Sequence, residues 1–261
     1  MRKAFVILLT IATVMTSALA AHAKPKYAVT VSANKTAIEL SKGNVTLSGK
    51  VSPTAKGKTV AIQRKYGAGA WATIGTAKLS SSGAYAKAIK PAKAAVTSYR
   101  VVKSASTSRS SGVSPTVVVT VSRWRWVTDL PLHDAPVVGT VEATATMRGH
   151  AYPHSIITGA SAQRAYRTDN MCTRIIAYVG YEDRSVGSSG EATASRRTRL
   201  VPGPGPSGYS IYYHTPFVGE EPLYADIDIS GSKPPAVSLG GNSTSFQSLI
   251  AWGSPRIYCA S

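Results

Sequence analysis

Tyr181-Glu182-Asp183 sets an aromatic ring beside two carboxylates at the end of a strand pattern. Sugar recognition needs both parts: a flat apolar face for the ring, and convergent polar groups for its hydroxyls. The same half of the chain supplies more aromatic side chains in Trp124, Trp126, Tyr178, Tyr209, Tyr212, Tyr213 and Trp252. In Tyr209-x-x-Tyr212-Tyr213, strand alternation puts Tyr209 and Tyr213 on one face and Tyr212 on the other. Tyr181, Glu182, Asp183 and Trp252 are the candidate ligand-binding residues. Each also has a plain structural reading, as a solvated turn for 181–183 and a core plug for Trp252.

Other chemistries find less support. Calcium takes six to eight oxygens. Glu182-Asp183 supplies too few alone, and Asp226 and Asp228 share one strand face without completing such a set. His150 and His154 have the spacing of a helical zinc pair, but Tyr152-Pro153 lies between them and proline breaks the helix that spacing requires. No G-x-S-x-G nucleophile elbow occurs. No catalytic residue, metal ligand or cofactor is expected, and the chain reads as non-enzymatic.

Only two cysteines exist, Cys172 and Cys259. In an oxidising compartment the simple reading is one disulfide. It closes a loop of about 90 residues, for which the chain-entropy relation gives roughly 4.5 kcal/mol at most. The alternative, free thiols or metal ligation, lacks the paired C-x-x-C spacing of zinc sites. The compartment is read from residues 1–23, where Arg2 and Lys3 precede an apolar run and Ala21-His22-Ala23 ends it. That is the pattern of a secretory signal peptide. The run is too short to span a bilayer, so the expected product is secreted, either free or associated with the cell wall, with no membrane span.

Charge divides the rest. Residues 24–122 hold thirteen lysines and three arginines against one acid, Glu39, a net +15 in a chain of net +18. Residues 123–261 carry eleven arginines and one lysine against eleven acids, a net +1. Lys35, Lys42, Lys50, Lys56, Lys58 and Lys65 are the candidate basic surface. Such an excess of one sign favours an anionic partner, here an anionic envelope polymer. Aromatics for base stacking are few in this half, which argues against specific nucleic-acid binding.

The elements that must position these residues are strands. Val45-Thr-Leu47-Ser-Gly49, Val60-Ala-Ile62-Gln-Arg64, Tyr99-Arg-Val101 and Val117-Val-Val-Thr-Val121 alternate apolar and polar residues, the period-two signal of half-buried strands. About seven short strands are expected in the first half. The series Val45-x-Leu47-x-Gly49-x-Val51, Val60-x-Ile62-Gln63-Arg64, Trp71-x-x-Ile74, Ser82-Gly83-x-Tyr85 and Tyr99-Arg100-Val101 resembles the immunoglobulin-like repeats of secreted actinobacterial proteins. The resemblance implies a spacer, adhesion or display role, with Trp71 a structural plug at the core or strand edge. In the second half, Pro202-Gly-Pro-Gly-Pro206 reads as an exposed turn. Ser122-Arg-Trp-Arg-Trp126 leaves no flexible linker at the join.

The second half runs through Tyr166, Cys172-Thr173-Arg174-Ile175, Val179-Gly180-Tyr181-Glu182-Asp183, Asp226-Ile-Asp-Ile-Ser-Gly231 and Ala251-Trp252-Gly253. This order resembles the NPCBM group of carbohydrate-binding modules, whose fold is a jelly-roll-like β-sandwich. Two departures stand out: Leu249-Ile250-Ala251 replaces a frequent acidic pair before the terminal Trp, and Ala192-Thr-Ala-Ser-Arg196 replaces an aromatic-rich strand. The expected chain is therefore all-β: a signal peptide (1–23), an immunoglobulin-like β-sandwich (24–122) and a jelly-roll-like β-sandwich (123–261). Its expected partner is a glycan, either polysaccharide or cell-wall component. The rival reading is a structural or adhesion protein of the envelope without sugar binding.

Overall fold

Period-two alternation becomes strand after strand in the computed structural model, which describes residues 23–134, 138–159, 162–186, 190–197, 208–216, 219–231, 234–242 and 248–261. The side chains of 195–197, 208–211, 213 and 242 are not among those described. The leader expected over 1–23 falls outside the described residues except for Ala23, as do the proline-glycine turn at 202–206 and the side chains of Tyr209 and Tyr213.

The first half contains β1 (Ala28–Val29), β2 (Ser32–Ala33), β3 (Ala37–Glu39), β4 (Val45–Ser52), β5 (Thr59–Tyr66), β6 (Ala72–Lys78), β7 (Ala84–Ile89), β8 (Ala95–Lys103) and β9 (Gly112–Val113). Three of these are two-residue pieces, so the strands outnumber the seven expected. The chain then enters β10 (Val117–Trp126) and one 3-10 turn (Val127–Asp129). The second half continues with β11 (Thr140–Met147), β12 (His150–Thr158), β13 (Gln163–Arg167), β14 (Cys172–Tyr181) and β15 (Glu191–Arg197). It ends with β16 (Gly208–His214), β17 (Leu223–Asp228), β18 (Ala236–Asn242) and β19 (Ile250–Cys259). The chain is all-β, and among the described residues no helix is long and apolar enough to cross a membrane.

In the first half, β4 pairs with β1 and β2 and, antiparallel, with β7. It faces the sheet of β10, β8, β5 and β6. Val45, Leu47, Val51, Val60, Ile62, Tyr99, Val101, Val119 and Val121 fill the space between them. The turn at Ser82-Gly83 requires its glycine: φ is +76°, and a Cβ there would strike the Val51 carbonyl oxygen. Trp71 is half-buried rather than enclosed. The Arg100 guanidinium lies 4.3 Å and the Lys65 ammonium 5.2 Å from its ring centre.

The second core joins Ile175, Val179, Trp252 and Ile257 of one sheet to Tyr166, Ala192, Ala194, Val237 and Leu239 of another, ordered β13-β18-β15-β16. Cys172 and Cys259 form a disulfide between directly opposed positions of β14 and β19.

β10 belongs to both halves. Its first part pairs with β8 over Val117–Val121. Its last part pairs with β19, setting Arg123 opposite Cys259 and Trp126 opposite Arg256. No linker intervenes, because the same strand that completes one sheet opens the next.

Candidate functional site

The turn proposed from sequence is spent on internal bonds. Glu182 is 3% exposed and accepts hydrogen bonds from the Arg184 side chain at 2.8 Å and the Arg184 backbone N–H at 2.9 Å. Asp183 accepts from the backbone N–H groups of Arg148 and Gly149, at 2.7 and 2.9 Å, and so holds the β11–β12 turn. Tyr181 is 7% exposed, and burial pushes its phenol pKa upward. These residues line a depression of about 360 Å³ with Arg148, Ser185 and Glu220, where, among the described residues, Tyr181 is the one aromatic in the lining and is itself buried. Trp252 corrects the expectation outright: it is 0% exposed, and its Nε1–H donates to the Gly240 carbonyl across the core at 2.9 Å. An indole enclosed on both faces cannot stack on a ligand.

The aromatic surface lies elsewhere, on the outer face of the sheet formed by β10, β19, β14 and β17. Strand register builds it in rows. Trp124 stands opposite Tyr258, Tyr258 opposite Arg174, and Arg174 opposite Asp228. The next row is Trp126, Arg256, Ile176 and Asp226. A third brings Tyr178 opposite Tyr224 and beside Gly253. Directly opposed residues point to the same side of a sheet, so these rows share a face while Ile175, Ile257 and Ala225 point inward to the core.

The rings meet in separate groups along this face. Trp124 and Tyr258 have centroids 5.1 Å apart, Tyr152 and Tyr178 5.2 Å, and Tyr178 and Tyr224 5.5 Å. Trp126 stacks on His154 at 4.5 Å. Tyr178 and Tyr224 are 40% and 51% exposed. Gly253 allows Tyr152 to lie flat over β19, since a Cβ there would come within 2.9 Å of the Tyr152 ring and 2.6 Å of Met147 Cε.

The first row opens into a cleft of about 590 Å³ lined by Glu39, Trp124, Thr173, Arg174, Asp226, Asp228, Ser230 and Tyr258. Glu39, the lone acid of the basic half, reaches it because β3 runs parallel to β10 with Glu39 opposite Ser122. Arg174 binds Asp226 through both Nε and Nη2, the first contact at 2.6 Å. That pairing holds the Asp226 carboxyl below the ordinary carboxylate range. Hydrogen bonds from Ser230, its N–H at 2.7 Å, do the same for Asp228. Burial, with Glu39 adding to it, pushes the Tyr258 phenol up. Near neutral pH the cleft therefore offers two ionised acceptors, one fixed guanidinium and two aromatic walls. That set suits hydroxyl recognition rather than proton donation.

Of these residues, Trp124, Trp126, Tyr178, Asp226 and Asp228 were visible in the sequence as candidate chemistry but not as one site, whereas Glu39, Tyr152 and Arg174 figured there only in other roles and Tyr224 and Tyr258 in none. The available signal was parity. Asp226 and Asp228 with Tyr224, and Tyr258 with Arg256, fall on the outward register of strands whose alternate residues are core aliphatics. The six candidate lysines do not gather into one site: Lys35, Lys42, Lys50, Lys56 and Lys58 are exposed on separate turns and strands, and Lys65 leans on Trp71.

No protein-family model matches the chain, and no curated protein does, so the NPCBM and immunoglobulin-like resemblances rest on their motifs. Among solved structures, the CBM51-2 and INT domains of Clostridium perfringens ZmpB align with a TM-score of 0.41 and 10% identity, over 64% of this chain and 38% of that one. The CBM51-2 structure in complex with GlcNAc, with the same INT domains, gives a TM-score of 0.40 and 11% identity, again over 64% and 38%. The CBM22-1-CBM22-2 tandem of Paenibacillus barcinonensis Xyn10C gives 0.31 and 10%, over 89% and 91%. This chain spans 38% of the length of the first two. Similarity at this level fixes no ligand for the present chain.

Proposed function

We propose that the chain is a secreted, non-catalytic carbohydrate-binding protein whose ligand lies across the outer face of the β10-β19-β14-β17 sheet. The observation that carries this is the cleft of about 590 Å³, in which Trp124 and Tyr258 form an aromatic wall beside Arg174, Asp226 and Asp228. Sugar C–H faces stack on the rings, and hydroxyls donate to the carboxylates and accept from the guanidinium. The signal-like leader and the disulfide support export. The basic half, taken as residues 24–122, serves as spacer and as attachment to an anionic envelope surface.

One observation favours the structural reading without sugar binding. Arg256 lies 6.0 Å from the Trp124 ring and 5.4 Å from the Trp126 ring, and His154 covers one face of Trp126. These rings are partly engaged by the protein itself. A glycan array probed with the full chain, followed by calorimetry on any hit, decides between the two. Retention lost about tenfold in Trp124→Ala or Tyr258→Ala, as for an aromatic contact of ~1.4 kcal/mol or more, supports glycan binding at this face. No retention of any glycan removes the proposal and leaves the structural one.

A further inference from the structure

The basic half has a built site, and it is not made of the scattered lysines. In β5, Val60, Ile62 and Arg64 follow one another on the inward register, and Arg64 is paired with the buried Tyr99 of β8. In β7, Tyr85, Lys87 and Ile89 do the same, and Lys87 is paired with the fully buried Leu47 of β4. Two facing sheets thus each turn a cation into the space between them, Lys87 from β7 at the edge of one sheet and Arg64 from β5, which lies between β8 and β6 in the other. With Lys90 these cations rim a groove of about 240 Å³, whose remaining walls include Ile62, Ile74 and Ile89. The cationic line continues past the groove, since Arg64 lies 4.5 Å and Lys93 4.3 Å from the centre of the Tyr66 ring. Glu39, the single acid of residues 24–122, lines the cleft beside Trp124 instead.

An inward charge on an edge strand, as Lys87 is on β7, also discourages edge-to-edge pairing. Three cations converging over an apolar floor go beyond that need. Among the described residues, the groove's lining holds no carboxylate to compete for these donors. We infer that this groove binds one anionic residue of an acidic polysaccharide or glycopolymer, with its carboxylate or phosphate held by Arg64, Lys87 and Lys90 and the sugar's C–H face against Ile74 and Ile89. Tyr66 and Lys93 extend the contact to the neighbouring residue of the polymer. The volume, below the ~300–1,000 Å³ of drug-sized pockets, suits a single sugar residue of a longer chain. This inference rests on the reading that the basic half attaches to an anionic surface. It is independent of the aromatic face.

The test is titration of the full chain with polygalacturonate and with poly(glycerol phosphate) oligomers at ~0.15 M ionic strength, with single-stranded DNA in parallel. Arg64→Gln/Lys87→Gln/Lys90→Gln is compared with Lys35→Gln/Lys42→Gln/Lys50→Gln, which removes the same charge elsewhere, and thermal melts confirm that both fold. The expected result is an affinity loss of at least about tenfold in the groove variant, the loss of one charge-assisted contact, and under about threefold in the other. Whichever polymer binds names carboxylate or phosphodiester as the anion. Equal losses in the two variants overturn the groove but keep diffuse attachment. Binding of neither polymer overturns the groove, and salt-insensitive retention on envelope fractions overturns attachment itself. DNA binding as tight as either polymer's, lost in the same variant, replaces the inference with a nucleic-acid site.

Discussion

Trp252 and Trp124 show how two tryptophans in one sheet serve opposite ends. Trp252 is enclosed and hydrogen-bonded across the core. Trp252→Ala is expected to cost about 3–5 kcal/mol of stability, read from the denaturant midpoint, with the outer face otherwise intact. Trp124→Ala should stay within about 1 kcal/mol of wild type in the same measurement while its effect falls on glycan affinity. Asp183 belongs with Trp252 in this division. Its carboxylate satisfies two backbone N–H groups of a turn, so Asp183→Ala should lower stability by about 1–3 kcal/mol and leave glycan affinity unchanged. An affinity loss in Asp183→Ala larger than in Trp124→Ala would return the site to the 181–183 turn. The sequence made this division hard to see. Tyr181-Glu182-Asp183 and Trp252 have the right chemistry, but burial depends on which sheet covers a strand end. Glu182 is hidden by its own neighbour, Arg184.

At the scale of elements, the alternation was legible and the pairing was not. The apolar parity of β4, β5, β8 and β10 reads from alternate residues such as Val45 and Leu47, Val60 and Ile62, Tyr99 and Val101, and Val119 and Val121. The row Trp124-Tyr258-Arg174-Asp228 depends on four strands meeting in one register, across gaps of up to 134 residues between Trp124 and Tyr258, and the register between β14 and β19 shifts twice. No local pattern carries such information. One pairing has a pH signature. Tyr85 of β7 donates to the Thr30 carbonyl, and burial raises its pKa from 10.0 to about 12. A phenol whose folded value lies above its unfolded one contributes stability that is complete below the unfolded value and lost as pH rises through the folded value. Stability of the first half should therefore fall between pH 10 and about 12, followed by denaturation in steps of pH. Tyr85→Phe should flatten that fall; an unchanged slope would show that the phenol is not the responsible group.

For the whole molecule, the charge seam at residue 122 was plain from composition, and its structural meaning was not. The basic and near-neutral halves have separate cores, yet one strand, β10, serves both. Retention on an anionic envelope polymer should fall steeply with salt, because exposed charges are screened within ~10 Å at 0.1 M. Binding at the aromatic cleft, where Arg174 and Asp226 neutralise each other, should change little. A retention assay at two ionic strengths separates the contributions, and an equally steep fall for both would assign the glycan grip to charge as well.

The shared strand also sets how the molecule resists being pulled. If the groove holds one polymer and the outer face another, tension between them runs along β10 and crosses to β19 through the four residue pairs from Arg123 to Trp126. β19 is fastened to β14 by the Cys172–Cys259 bond beside the first of those pairs. The load meets hydrogen bonds lying across its direction, so they must break together rather than one by one, and the covalent bond keeps β19 from peeling off β14. The two cysteines, at the near end of that interface, act as a rivet in a lap joint between the two halves.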